Sequence, residues 1–226
     1  MWCVAKLDEE YIDRMEDVLA LYEKPLSEEE PVVCIDEKPV MLHRDTRARL
    51  AVRPGRLARR DYEYKRCGTA NVFCGAEPKA GRHFLKPTPD RAAAEFAEYL
   101  LKMVARYPDA RTIHLVMDNP NTHGRKSLTD CYGEKLGGLL WKRFTVHYTP
   151  KHGSWLNQAE IEVSLLSRLC LGQRSIPDLP YCAAKFAPAA CVSTATAQPL
   201  IGVSRANRRD GNSTTHSRRH GTRAYY

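Results

Sequence analysis

No apolar run in this sequence is long enough to span a bilayer, which takes about 20 consecutive apolar residues. A helical membrane protein is therefore excluded. The start, Met1-Trp2-Cys3-Val4-Ala5-Lys6-Leu7-Asp8, has no basic n-region and no sustained apolar h-region, so secretion is not expected and a cytoplasmic location is. Cys-x-x-Cys pairs and Cys/His clusters at zinc spacing are missing too, although there are eight cysteines. In a chain of this length without a secretion signal, a disulfide framework is not expected. Cys34 and Cys74 instead lie in apolar strand-like contexts, where a free thiol behaves as a small hydrophobe.

Acids are scarce at one end only. Residues 181–226 hold seven Lys/Arg and one acid, whereas residues 1–180 hold 28 Lys/Arg and 26 acids. Most of the net charge of +8 thus belongs to the tail, and global charge says little about nucleic-acid binding. The tail is rich in Ala, Ser, Thr and Arg, and no amphipathic element is evident in it. Its composition predicts disorder. The 226 residues suffice for one well-buried domain plus an appendage.

Periodicity divides the remainder into elements. Residues 8–23 place Tyr11, Ile12, Met15, Val18, Leu19 and Tyr22 at helical spacing with acids opposite, predicting an amphipathic helix; residues 1–31 are read as this helix and a linker. Val32-Val33-Cys34-Ile35 is a short apolar run ending at Asp36, a buried strand. His43 to Arg66 is basic, with nine Lys/Arg broken by Pro54-Gly55, and reads equally as a solvated hairpin or a phosphate-contacting one. Residues 69–76 and 82–85 form two strands around a Pro78/Gly81 turn. A helix follows over 91–106, with Ala93, Phe96, Ala97, Leu100, Met103 and Val104 inward and Pro108 closing it. Residues 112–117 make a buried strand ending at Asp118; a polar segment then leads to a short helix. Residues 143–148 are a fifth strand, and 156–171 a helix with Ala159, Val163, Leu166 and Cys170 along one face. The order predicts a mixed α/β sheet with helices packed against it.

An acid closing each of two apolar strands is the notable chemistry. Desolvating a bare carboxylate there is costly without a partner. A divalent cation supplies one: Mg²⁺ favours one or two carboxylates plus water and phosphate oxygens. Taken singly, either aspartate is more often a turn or helix-cap residue than a metal ligand.

Three phrases carry a resemblance: Val33-Cys34-Ile35-Asp36-Glu37-Lys38; His114-Leu115-Val116-Met117-Asp118-Asn119 with Asn121-Thr122-His123; and Tyr148-Thr149-Pro150-Lys151-His152-Gly153-Ser154-Trp155-Leu156-Asn157-Gln158-Ala159-Glu160. In this order they resemble DDE transposases of the bacterial insertion-sequence branch of the mariner superfamily, over about residues 1–180. The resemblance implies a ribonuclease-H-like catalytic domain over residues 32–180, with Asp36, Asp118 and Glu160 as catalytic and metal-binding acids. It implies two Mg²⁺ or Mn²⁺ ions, double-stranded DNA as partner, a homo-oligomer, and hydrolysis at transposon ends followed by joining of 3′-hydroxyls to target DNA. Glu160 and Glu162 lie about 200° apart on a helix, so only one can face the site. Helical spacing leans to Glu160, the resemblance selects it, and Glu162 reads as a surface or salt-bridged acid.

Lys38, Arg56, Arg59, Arg60, Asn119, His123, Lys151 and His152 are candidate DNA contacts. Asn119, Asn121 and His123 read equally as DNA- or water-positioning groups and as caps of the next helix; Lys38 reads equally as a solvated lysine. Trp155 is expected to be a packing anchor rather than a base-stacking platform, and His114 and His147 core histidines. Two departures stand out. Only one helix fits ahead of Val32, so the helix-turn-helix segment that the resemblance implies is expected to be missing, encoded elsewhere or lost. The tail suggests a frame change in place of charged helical sequence, or else a natural basic tail that binds DNA non-specifically. A catalytically silent remnant that binds DNA or dimerises is thus the rival reading. A ribonuclease acting on RNA–DNA hybrids is a third, disfavoured by the Ser154-Trp155-Leu156-Asn157 phrase.

Overall fold

The computed structural model of the protein describes residues 7–118 and 123–192. Asn119, Asn121 and the chain beyond residue 192 lie outside the described residues. Helix α1 (Glu9–Glu23) starts where Asp8 accepts a hydrogen bond from the Tyr11 amide at 3.0 Å, with Glu9 and Glu10 in its first turn, where negative charge suits the helix dipole. Its buried side is Tyr11, Val18 and Leu21, with Met15 and Tyr22 half-buried beside them. Ile12 and Leu19, expected inward, are exposed. Both readings of the stripe share 11, 15, 18 and 22, and tertiary docking selected the flank that carries Leu21.

Strand β1 (Val32–Asp45) does not stop at Asp36 but runs nine residues further, paired antiparallel with β2 (Tyr64–Glu77). Periodicity stopped short because the strand changes neighbours. Its first residues, Val32 to Cys34, also pair in parallel with β4 (Ile113–Met117), and that pairing ends there. Strand β3 (Arg82–Thr88) pairs antiparallel with β2 across the turn at 78–81, and β5 (Phe144–Tyr148) pairs in parallel with β4. The sheet order is β3-β2-β1-β4-β5, the mixed sheet that the element order implied.

Strand alternation sends side chains to two layers. Val33, Ile35, Phe73, Leu115 and Met117 form one core with α2 (Ala93–Arg106) and α3 (Arg125–Trp141). The expected short helix is thus 17 residues long, broken at Gly133 by a φ of 77°, a value that glycine adopts without a Cβ penalty. The opposite face is covered by α1, α4 (Ala159–Leu165) and α5 (Leu179–Val192). Helix α4 begins three residues later than expected, after a 3₁₀ turn at Ser154–Leu156, and continues into a π turn, Leu166–Leu171. Helix α5 corrects the tail reading up to residue 192. Cys182 and Phe186, four residues apart, are buried against Val72, Cys74 and Leu166. Its many alanines hid a narrow apolar stripe that only the sheet behind it makes useful. The six cysteines whose side chains are described are free, and no described helix is long and apolar enough to cross a membrane.

One close approach has a measurable consequence. A Cβ on Gly75 of β2 would lie 2.3 Å from the Tyr99 hydroxyl and 3.3 Å from the Phe84 Cβ. Tyr99 donates to the Phe84 carbonyl at 3.0 Å and is fully packed, so it has little room to retreat. Gly75→Ala is expected to destabilise the fold by about 1–3 kcal/mol through overpacking, read as a lowered midpoint in chemical denaturation.

Candidate active site

Strand register brings the two aspartates together. Cys34 lies opposite Val116 in the parallel β1–β4 pair. Two residues further along the chain from each stand Asp36, within β1, and Asp118, the first residue past the end of β4, and the charge of Asp118 is felt at Asp36. Neighbouring strands are about 4.8 Å apart, so the two carboxylates belong to one site. Asp36 is half-buried, with Cys74 as its cross-strand partner, and its Oδ1 accepts from the Glu37 amide at 2.7 Å. Asp118 is exposed and accepts from Thr149 Oγ1 at 2.7 Å.

Glu160 enters from the first turn of α4, which is held to β1 by Asn157. The Asn157 side chain, 1% exposed, donates through Nδ2 to the Ile35 carbonyl at 2.8 Å and accepts at Oδ1 from the Ala159 amide at 3.1 Å. It therefore caps α4 and ties that cap to the residue just before Asp36. From the other side, the Tyr22 hydroxyl of α1 donates to the Leu156 carbonyl at 2.8 Å and lies 3.2 Å from Cys34 Sγ. Burial, then the nearby Cys34, pushes the Tyr22 phenol well above its ordinary range.

Electrostatics join the third acid to the first two. Burial pushes the Asp36 carboxyl up to about 6, and the negative charges of Glu160 and Asp118 add to the rise against the Glu37 amide bond that opposes it. Asp36 therefore senses both other acids. Among the described residues no three acidic, histidine or cysteine side chains are closed to metal-binding distance; three carboxylates of like charge repel one another. The donor set nevertheless fits a hard divalent cation: oxygen ligands only, two of them exposed, and one whose charge is unfavourable without a counter-ion.

Glu162 is not a surface acid. It is buried on the inner side of α4, with His83 Nδ1 of β3 2.5 Å from its Oε2. Glu160 is exposed. The pair divides as the helical period requires: one acid against the sheet, one towards the aspartates.

The candidate DNA contacts separate as well. Lys151 and His152 are exposed, with His152 in the left-handed region at φ 65°. Lys38 is half-buried and, by alternation, on the face of Asp36. Arg56 and Arg59 are exposed on an arm between β1 and β2, closed by bridges from Leu50 to Arg59 and from Arg53 to Arg56. Arg60 lies at the arm's base, where its guanidinium donates to the Gln173 carbonyl at 2.7 Å and to Ser175 Oγ at 3.1 Å and pairs with Asp45. Arg49 and Ser175 hold that aspartate down at about 2. His123 is buried rather than on the surface. Its ring stacks on Phe96 with centroids 4.3 Å apart, Nδ1 lies 2.6 Å from Glu37 Oε1, and Nε2 lies 3.2 Å from the Arg91 carbonyl. This ties residue 123 to β1 through Glu37.

His114 is buried and His147 half-buried, and the two belong to a chain. His114 Nδ1 lies 2.9 Å from His147 Nε2, whose Nδ1 lies 2.6 Å from Asp17 of α1. Burial lowers the His114 pKa, with the charges of Lys24 and His147 adding to the fall. Asn157 was quoted within its phrase without a role. Its position two residues before a helix that opens on alanine marks it as a cap, a legible signal.

Known proteins share this fold. The family model described as DDE superfamily endonuclease matches residues 31–181. Among solved structures, the Mos1 mariner paired-end complex with Mn shares the fold at a TM-score of 0.53 and 17% identity, over 85% of this chain and 58% of that one. The Mos1 transposase paired-end complex with left transposon end matches at 0.43 and 15%, over 82% and 60%. The chain thus spans less than two thirds of the length of these structures. No curated protein matches significantly. The fold is ribonuclease-H-like, and the chain belongs to the DDE superfamily endonuclease family.

Proposed function

We propose that this chain is the nuclease module of an insertion-sequence transposase, cutting phosphodiester bonds in double-stranded DNA with divalent ions held by Asp36, Asp118 and Glu160. The observation that carries the reading is the register of β1 and β4, which sets two aspartates side by side while the charge of Glu160 reaches Asp36. Mg²⁺ or Mn²⁺ suits the all-oxygen donors, and a similar fold is found in a mariner complex with Mn. Such ions, held by Asp36, Asp118 and Glu160, would stabilise the attacking and leaving oxygens of a phosphodiester displacement. The protein's own part is to position. Thr149 orients Asp118, the Glu37 amide orients Asp36, and Asn157 holds the helix that presents Glu160. Joining of a freed 3′-hydroxyl to target DNA would use the same site.

Lys38 shares β1 with Asp36, and Lys151 and His152 lie in the loop ahead of the helix that carries Glu160; all three suit phosphate contacts, and Arg56 and Arg59 extend that basic surface along the arm. The arm also exposes Leu50, Val52, Leu57 and Tyr62, the last two at 85% and 88%. Apolar side chains so far from the core favour a homo-oligomer joined through the arm. A cytoplasmic location follows from action on bacterial DNA.

Nicking of supercoiled plasmid tests the reading. The chain is expected to nick with Mn²⁺ or Mg²⁺ and to stop on chelation. Glu160→Gln is expected to lose nicking, whereas Glu162→Gln keeps it and unfolds at lower denaturant, because the contact between Glu162 and His83 is weakened inside the fold. Salt-sensitive DNA binding with no nicking under any metal would favour the silent-remnant alternative. Equal loss of nicking in both variants would overturn the assignment of Glu160 over Glu162.

A further inference from the structure

Trp155 has no place in the chemistry above, and its setting is unusual. It was expected to anchor the core, yet it is 65% exposed. Exposing an indole forgoes a large hydrophobic gain, and a mobile loop would let it fold back onto apolar surface. This loop holds it out. The segment is tied at one end by Thr149, whose amide donates to the Met117 carbonyl at 3.1 Å and whose hydroxyl bonds Asp118. At the other end Asn157 is tied to the Ile35 carbonyl, one residue before Asp36. Between the ties, the Gly153 amide donates to the Pro150 carbonyl at 2.8 Å, and a Cβ on Gly153 would lie 2.5 Å from the Pro150 ring. The Leu156 and Asn157 amides close the 3₁₀ turn onto Gly153 and Ser154 at 3.0 and 2.8 Å. Leu156 fills the core beneath at 3% exposure. Trp155 therefore projects from a stiff bridge between the two aspartate-bearing strands, with exposed Lys151 and His152 just ahead of it in the chain.

We infer that Trp155 is a stacking platform for an unpaired nucleobase next to the phosphodiester held at the acids. The inference rests on the DNA-cleaving reading of the site and deepens it. A flat aromatic face takes any base, and neighbouring cationic groups attract the backbone that carries it, the combination that binds single strands with little sequence preference. A duplex in which every base is paired presents no such face. The platform thus favours DNA already opened beside the scissile bond, or a strand end freed by a first cut.

The test is binding of the full chain to a labelled oligothymidylate and to a blunt duplex of equal length, in Ca²⁺ so that no cutting intervenes. Trp155→Ala is expected to weaken single-strand binding roughly tenfold or more, with the duplex changed less. Trp155→Phe keeps most of the affinity, because a smaller aromatic face still stacks. Oligothymidylate should also quench tryptophan emission in the wild type and much less in Trp155→Phe, which retains Trp2 and Trp141. The inference is overturned by wild-type single-strand affinity in Trp155→Ala, by equal losses on both DNAs, by a loss in Trp155→Phe matching that in Trp155→Ala, or by a marked fall in melting temperature for Trp155→Ala, which would show a packing role. The nicking assay above is independent: a wild type that nicks while Trp155→Ala binds normally removes only the platform.

Discussion

Replacing Asp36 by Asn is expected to reduce metal-dependent nicking on the order of 10³-fold or more while making the metal-free chain more stable at neutral pH. The first effect follows from losing a ligand whose cations contribute several kcal/mol to the transition state, at about 1.4 kcal/mol per factor of ten. The second follows from the position of the carboxyl. Its titration is raised from the ordinary 3.8 to about 6 by burial and by the charges of Glu160 and Asp118. The folded state thus binds this proton more tightly than the unfolded chain. Stability from this group is fully present below pH 4, falls as pH rises through the window from about 4 to 6, and stays lost above it. Asn removes that penalty. After allowance for solvent screening the gain at pH 7–8 is about 1–2 kcal/mol. Mn²⁺ should raise the melting temperature of the wild type and not of the variant, with apparent affinity falling as the pH drops below 6 and protons compete for Asp36. Undiminished nicking by Asp36→Asn would remove the residue from the site. A variant less stable than wild type without metal would show that Asp36 stabilises the fold rather than straining it.

Asn157→Ala should be the most damaging single change that leaves all three acids in place. It strips the Ile35 carbonyl of its buried donor and removes the cap of α4. An unsatisfied buried acceptor costs about 1–3 kcal/mol and a lost cap about 1, so a loss of about 2–4 kcal/mol is expected in guanidinium unfolding. Helix α4 also loses its tie to β1, and Glu160 with it. Nicking should fall even under conditions where the variant remains folded, through kcat rather than KM, since no DNA-contacting group is removed. Asn157→Asp separates the two bonds. It can still accept from the Ala159 amide but cannot donate to Ile35, and it places a fourth negative charge beside Asp36. A variant that is capped yet still inactive would show that the tie to β1, not the helix end, sets the position of Glu160. Wild-type nicking in both variants would dismiss the tie altogether.

Much of this architecture was legible because burial on one face repeats at a fixed period. Phe96, Leu100 and Met103 announced α2, and the five apolar residues of β4 announced a strand with Asp118 after it. The misreadings share one cause, which is that the decisive neighbour is remote in sequence. Strand β1 looked finished at Asp36 because its apolar run stops there, yet antiparallel pairing with β2 carries it to Asp45. Glu162 was read as a surface or salt-bridged acid, and the choice between the two rested on His83, its partner on another strand. His123 was read equally as a DNA- or water-positioning group and as a helix cap, and Phe96 and Glu37 enclose it instead. Trp155 looked like a core residue because indoles usually are, and only a loop tied at both ends could hold one in solvent.

The sequence alone singled out the residues proposed here for the chemistry. Carboxylates that follow apolar runs are rare and costly, so Asp36 and Asp118 stood out by composition, and the Asn157 to Glu160 phrase tied the third acid to them through resemblance. It also announced most of the elements, since side-chain alternation and helical period are local properties of the chain, but not α5 or the far end of β1. Tertiary structure alone decided that the first two acids meet. They are 82 residues apart, and nothing local says that β1 and β4 are neighbours or that Cys34 lies opposite Val116. It decided, too, which glutamate faces them, because a helix has no inside until a sheet supplies one. Pairing and docking are settled by the free energy of the whole core, which no short window of residues contains.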